Sequence, residues 1–121
     1  MKNPVRLSPI ERAAKSLMEA KGYAVVPMRP CFPTRHKPAH LMAFKSTTGL
    51  YYLKLKATTQ PLNGIPAASE LCNHDARLLR RLFPHRITTP VLHLQIWIQD
   101  NTGRFTCLEV LAESLREVSH A

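Results

Sequence analysis

Two lysines one residue apart, Lys54 and Lys56, carry the clearest chemical signal in the chain. They stand in Tyr51-Tyr52-Leu53-Lys54-Leu55-Lys56-Ala57-Thr58, where strand alternation puts Tyr52, Lys54 and Lys56 on one face and Tyr51, Leu53 and Leu55 on the other. Paired ammonium groups on a strand face suit phosphate oxygens, and an ammonium has no lone pair for a metal ion. Carboxylates are missing from the whole neighbourhood: from Ala20 to Ser69 there is no Asp or Glu, against seven Lys or Arg. Arg35, His36 and Lys37 form a second basic group upstream, and His40 follows. Arg77 and Arg81 lie in a later helical stretch. Together these residues describe a surface for a polyanion, with nucleic acid as the expected partner. Each also has a plainer use. Lys54 and Lys56 would serve as the wet face of a strand, His40 as a hydrogen-bonded strand residue, and Arg77, Arg80 and Arg81 as the solvent side of an amphipathic helix.

Other chemistries are weaker. Cys31, His36 and His40 are spaced C-x4-H-x3-H and Cys72-x-His74 follows, but structural zinc sites use ligands paired two to four residues apart, so no metal site is assigned. No Cys, His and acid pattern points to a thiol nucleophile, and three cysteines at unrelated spacings are read as reduced thiols. Glu11 stands three residues after Ser8, the spacing of a capping box. Tyr51, Tyr52 and Trp97 are read as packing residues, with Tyr52 and Trp97 on faces less committed to the core.

The elements that must position these residues follow from periodicity. Ser8-Pro9-Ile10-Glu11 starts a helix to about Lys21, with Ile10, Ala13, Ala14, Leu17 and Met18 at helical spacing and Gly22 as its stop. Tyr23–Met28 is a first strand, Arg29–Pro38 a loop, and Ala39–Lys45 with Leu50–Ala57 a hairpin turning at Thr48-Gly49. After a second loop, Thr58–Pro66, a helix over Ala67–Phe83 carries Leu71, Leu78, Leu79 and Leu82 on its apolar stripe and ends before Pro84. Val91–Ile98 is a strand with Leu92, Leu94, Ile96 and Ile98 on one face. A turn at Asp100–Gly103, a short edge strand over Arg104–Leu108 and a final helix over Val110–Val118 complete the chain.

With 121 residues, 45% of them hydrophobic, this is one domain's worth of chain, with a net charge of +9 from 17 basic and 8 acidic residues. No apolar run reaches the length of a membrane span and the first ten residues are unlike a secretory signal, so the expectation is a cytoplasmic protein without a membrane partner.

Pro38-Ala39-His40-Leu41-Met42-Ala43-Phe44, the turn, and Tyr51-Tyr52-Leu53-Lys54-Leu55-Lys56-Ala57-Thr58 resemble the frame P-D-L-x-A-F, turn, Y-x-E-x-K-A-T. With the order of elements, this resembles the PD-(D/E)XK superfamily, in its archaeal Holliday-junction-resolvase-like branch, over roughly Ser8 to Leu111. The resemblance implies a single three-layer restriction-endonuclease-like α/β domain, with a mixed central sheet of four to five strands flanked by helices in the order αβββαββα. It also implies that Glu11 matches the family's helix-1 Glu, His40 its Asp, Lys54 its Glu and Lys56 its Lys. In the family the three acids hold Mg²⁺. Here the pair from the second and third strands is replaced, and an ammonium about 4 Å from a dication costs on the order of 8 kcal/mol at an effective dielectric near 20.

The expectation is therefore a catalytically silent, nuclease-like domain that binds nucleic acid, needs no cofactor, and uses Lys54, Lys56, Arg35, His36, Lys37, Arg77 and Arg81. One alternative is an active resolvase with a non-standard site, using Mg²⁺ and Glu11, Glu70 or Asp75. The other is a non-enzymatic protein-interaction subunit. The family acts as dimers on branched DNA, which implies a homodimer.

Overall fold

The computed structural model describes residues 7–28, 39–59, 65–82 and 92–118. The loop expected at Arg29–Pro38, most of that at Thr58–Pro66, and Cys31, Arg35, His36, Lys37 and Pro84 lie outside the described residues.

Helix α1 (Pro9–Ala20) begins where the capping box requires. The Glu11 amide donates to Ser8 Oγ and the Ser8 amide donates to Glu11 Oε1, satisfying two backbone donors that the first helical turn leaves open. At the other end Lys45 Nζ reaches across from the sheet to the carbonyl of Lys21 at 2.8 Å. Gly22, at φ 93°, then turns the chain into strand β1 (Ala24–Pro27).

Strands β1, β2 (Leu41–Lys45) and β3 (Gly49–Ala57) form an antiparallel meander. Helix α2 (Ile65–Leu82) then crosses over, and β4 (Leu92–Gln99) returns parallel to β3 along eight residue pairs. Strands β5 (Phe105–Val110) and β6 (Leu115–Val118) add antiparallel hairpin partners. The result is a mixed sheet of six strands among the described residues, ordered β1 to β6 as in the chain.

The two helices lie on opposite sides of this sheet. Ala14 and Met18 of α1 pack with Val25, Leu41, Ala43, Tyr51, Leu53, Leu55, Trp97 and Cys107. Ala68, Cys72, Ala76 and Leu79 of α2 pack with Leu92, Leu94, Ile96, Ile98, Leu108 and Val110. Alternation along β3 and β4 sorts their residues between the two cores, so the domain is an α/β sandwich of helix, sheet and helix.

Four expectations from the sequence change here. Val110–Val118 is not a helix: its second half is β6, and the order becomes αβββαβββ, with six strands instead of four or five. The apolar residues Val110, Leu111, Leu115 and Val118 suit a helix as well as a hairpin, and tertiary context decides between them. Strand β5 would otherwise present an unpaired edge, and Val110↔Leu115 and Cys107↔Val118 close it. For the same reason β5 is interior. Arg80 does not belong to the wet side of its helix: its Nε donates to the carbonyl of Leu111 at 2.8 Å and its Nη2 to that of Ser114 at 3.0 Å, clamping the hairpin turn to α2. Trp97 is fully buried, because β4 has a core on both of its faces.

Arg80→Ala is expected to lower stability by about 2 kcal/mol, the range for hydrogen bonds from a charged donor. Amide exchange should accelerate over residues 111–118 before it does so in β2 or β3; uniform acceleration would argue against a local clamp.

Candidate functional site

Lys54 and Lys56 lie on the α2 side of β3, alternating with core residues Leu53 and Leu55 that point to α1. Helix α2 meets them with Asp75, which occupies a buried position on the stripe Ala68, Cys72, Ala76 and Leu79. A carboxylate placed there requires partners. Lys56 Nζ lies 2.8 Å from Asp75 Oδ2, and Lys54 Nζ lies 4.0 Å from Oδ1. The two lysines are therefore bridged by Asp75, which the sequence suggested only as a metal ligand of the alternative nuclease site. One helical turn earlier, burial pushes the Cys72 thiol up to about 11, the Asp75 carboxylate adds to the rise, and Lys56 opposes it. Cys72 is a protonated packing residue.

His40 is half-buried beside β3. Its amide donates to the Leu53 carbonyl at 2.8 Å, and its Nδ1 accepts from the Leu55 amide at 3.0 Å. The imidazole thus completes the backbone pairing just before β2 begins. Glu11 is buried in the first turn of α1, on the helix side that packs against the opposite face of the sheet. Of the four positions set against the nuclease motif, His40, Lys54 and Lys56 gather around the middle of β3, and Glu11 lies across the sheet from the two lysines. Arg77 and Arg81 are exposed on α2.

This donor set does not fit a magnesium ion. Two of the positions carry ammonium groups, His40 Nδ1 already accepts a backbone hydrogen bond, and Glu11 is on the far side. Among the described residues, no group of three or more His, Cys, Asp or Glu side chains is arranged to hold a metal.

A second polar cluster, not anticipated from the sequence, lies on the α1 side of β3–β6. His93 Nδ1 and Glu109 Oε1 are 2.8 Å apart, Gln95 Nε2 donates to the same oxygen at 3.2 Å, and Arg116 Nη2 donates to Oε2 at 2.7 Å. Trp97 Nε1 donates to Gln95 Oε1 at 3.0 Å. The His93 ring stacks on Tyr51 at a centroid distance of 4.4 Å, and its Nε2 lies 3.3 Å from the Thr48 carbonyl. Tyr51 is raised to about 12, first by burial and then by its hydrogen bond with Tyr23. A carboxylate with an imidazole is a familiar general-base pairing. Here the outer ring nitrogen faces a backbone carbonyl, where a base would need a substrate proton. The arrangement fastens the β2–β3 turn to β4, β5 and β6. The available signal was the row His93, Gln95 and Trp97 on one strand face, together with Glu109 between Leu108 and Val110.

No protein-family model and no curated protein matches this chain.

Burial opposes ionisation of Glu109, and the hydrogen bonds from His93 and Gln95, with the charges of His93 and Arg116, more than offset it, so its carboxyl titrates below the usual range. A depressed folded value means that the unfolded chain takes up this proton first as pH falls. The stabilisation is complete above the ordinary value of 4.5 and disappears as pH falls through the lower folded value. Glu109→Gln should therefore be less stable at pH 7 and should lose less stability in that acid window. Urea midpoints that fall equally in both proteins would show that Glu109 is not a determinant of acid sensitivity.

Proposed function

We propose that this protein binds nucleic acid without cleaving it, as a degenerate member of the restriction-endonuclease-like PD-(D/E)XK group. The observation that carries the reading is the pair Lys54 and Lys56 on one strand face, with the single carboxylate of Asp75 bridging two ammonium groups, in a chain of net charge +9. Arg77 and Arg81 are exposed on the helix that supplies Asp75. The succession of α1, a three-strand meander, α2 and a parallel fourth strand supports the family resemblance. The unsuitability of the motif positions for Mg²⁺ supports binding over hydrolysis.

Fluorescence anisotropy with labelled duplex and four-way-junction DNA tests this reading. The native protein should lose affinity steeply with salt, at about 0.9 in log K per log salt for each phosphate neutralised. Lys54→Ala/Lys56→Ala should flatten that slope by about one to two. Asp75→Asn removes the counter-charge. It should tighten binding at low salt while lowering stability by about 1–3 kcal/mol, because a charge-assisted hydrogen bond is weakened. Incubation with Mg²⁺ or Mn²⁺ should leave the DNA intact. Metal-dependent nicking abolished by Asp75→Asn would establish a working nuclease instead. Negligible affinity at low salt would leave the protein-interaction role.

A further inference from the structure

Helix α2 covers only part of the sheet face on which it lies. Its core partners come from β4 and β5, with Leu50, Tyr52 and Leu115 half-buried at the margin. Beyond that margin, on β1 and β2, the same face carries Val26 at 45% exposure and Phe44 at 51%. The register Val26↔Met42↔Tyr52 and Ala24↔Phe44↔Leu50 places these residues in two adjacent rows. Phe44 and Tyr52 are diagonal neighbours across the β2–β3 pair, a separation of about 7–8 Å between such positions. Next along β3 on this face come Lys54 and Lys56. An exposed aromatic, a partly buried aromatic and two cations thus follow one another on one face of the sheet.

We infer that this surface is a stacking platform for single-stranded nucleic acid, on which Phe44 and Tyr52 receive base faces while Lys54 and Lys56 hold the adjoining phosphates. The inference rests on the nucleic-acid reading above and gives that reading a substrate class. Bases in a duplex present only their edges, because their faces are covered by neighbouring bases. Rings on an open sheet meet base faces only in an unpaired strand. An apolar patch with exposed Phe and Val also suits a second copy of the chain. Charge argues against that occupant. A two-fold contact would bring this patch and its adjoining lysines close to their own copies, between two molecules of net charge +9.

The test compares anisotropy titrations of a labelled thymidine oligomer of about 12 nucleotides, within the usual single-strand site size, with those of a duplex of equal length. The native protein should prefer the single strand. Phe44→Ala should weaken single-strand binding roughly five- to hundredfold, the loss expected for one stacked base, with the salt slope unchanged. Phe44→Tyr should retain the affinity and Phe44→Leu should not, which separates stacking from general apolar contact. Equal affinities for both DNAs, unaffected by Phe44→Ala, would overturn the platform and leave salt-dependent binding at the lysines standing. Binding of neither DNA would remove both readings. A dimer in sedimentation equilibrium that Phe44→Ala dissociates, with single-strand affinity unchanged, would assign the patch to a second copy and overturn the platform.

Discussion

The parallel pairing of β3 with β4 is the constraint on which the rest of the structure depends. A parallel pair needs a crossover, the crossover here is α2, and a helix packed on one face leaves the other face to α1. Much of the central pair is therefore buried on both sides. Polar groups within it must find partners inside the protein, and the two charge clusters are the local solutions. On the α2 side the helix supplies Asp75 to Lys56 and Lys54. On the α1 side β5 and β6 supply Glu109 and Arg116 to His93 and Gln95. Both clusters follow from the same geometry, and they differ in the elements they join. The lysines stand at the margin of α2's coverage, and Glu109 is held between His93 of β4 and Arg116 of β6, whose guanidinium lies at the exposed outer end of its group.

Each cluster holds its own part of the sheet. The network of His93, Gln95, Glu109 and Arg116 ties β4, β5, β6 and the β2–β3 turn together, and its imidazole is held by protein atoms at both nitrogens. Lys54 and Lys56 both reach the Asp75 carboxylate and so tie β3 to α2. The charge reserve of the chain lies further out, at residues such as Arg77 and Arg81.

Local signals in the sequence were legible wherever one residue type had one use. Ser8 with Glu11 fixed the start of α1, Gly22 its end, and the alternation of Tyr51 to Lys56 gave β3 the correct faces. What was not legible depended on the partner element. The pattern of Val110, Leu111, Leu115 and Val118 is compatible with a helix or a hairpin, and only the open edge of β5 and the reach of Arg80 decide for the hairpin. Trp97 looked half-committed because one face of β4 reads as polar, yet His93 and Gln95 on that face are satisfied by Glu109 from another strand. Asp75 lies 19 residues from Lys56, and no short motif links them.

The two ends of the sheet are built differently from its middle. Strand β1 is four residues long and ends at Pro27, which has no amide hydrogen to offer a further strand. Strand β6 is equally short, and exposed Arg116 and Glu117 occupy its centre. Short length, proline and charge are the usual means of discouraging strand addition from a neighbouring molecule. Among the described residues both ends of the sheet thus resist strand addition, so copies of this basic protein can crowd together without joining through their backbones.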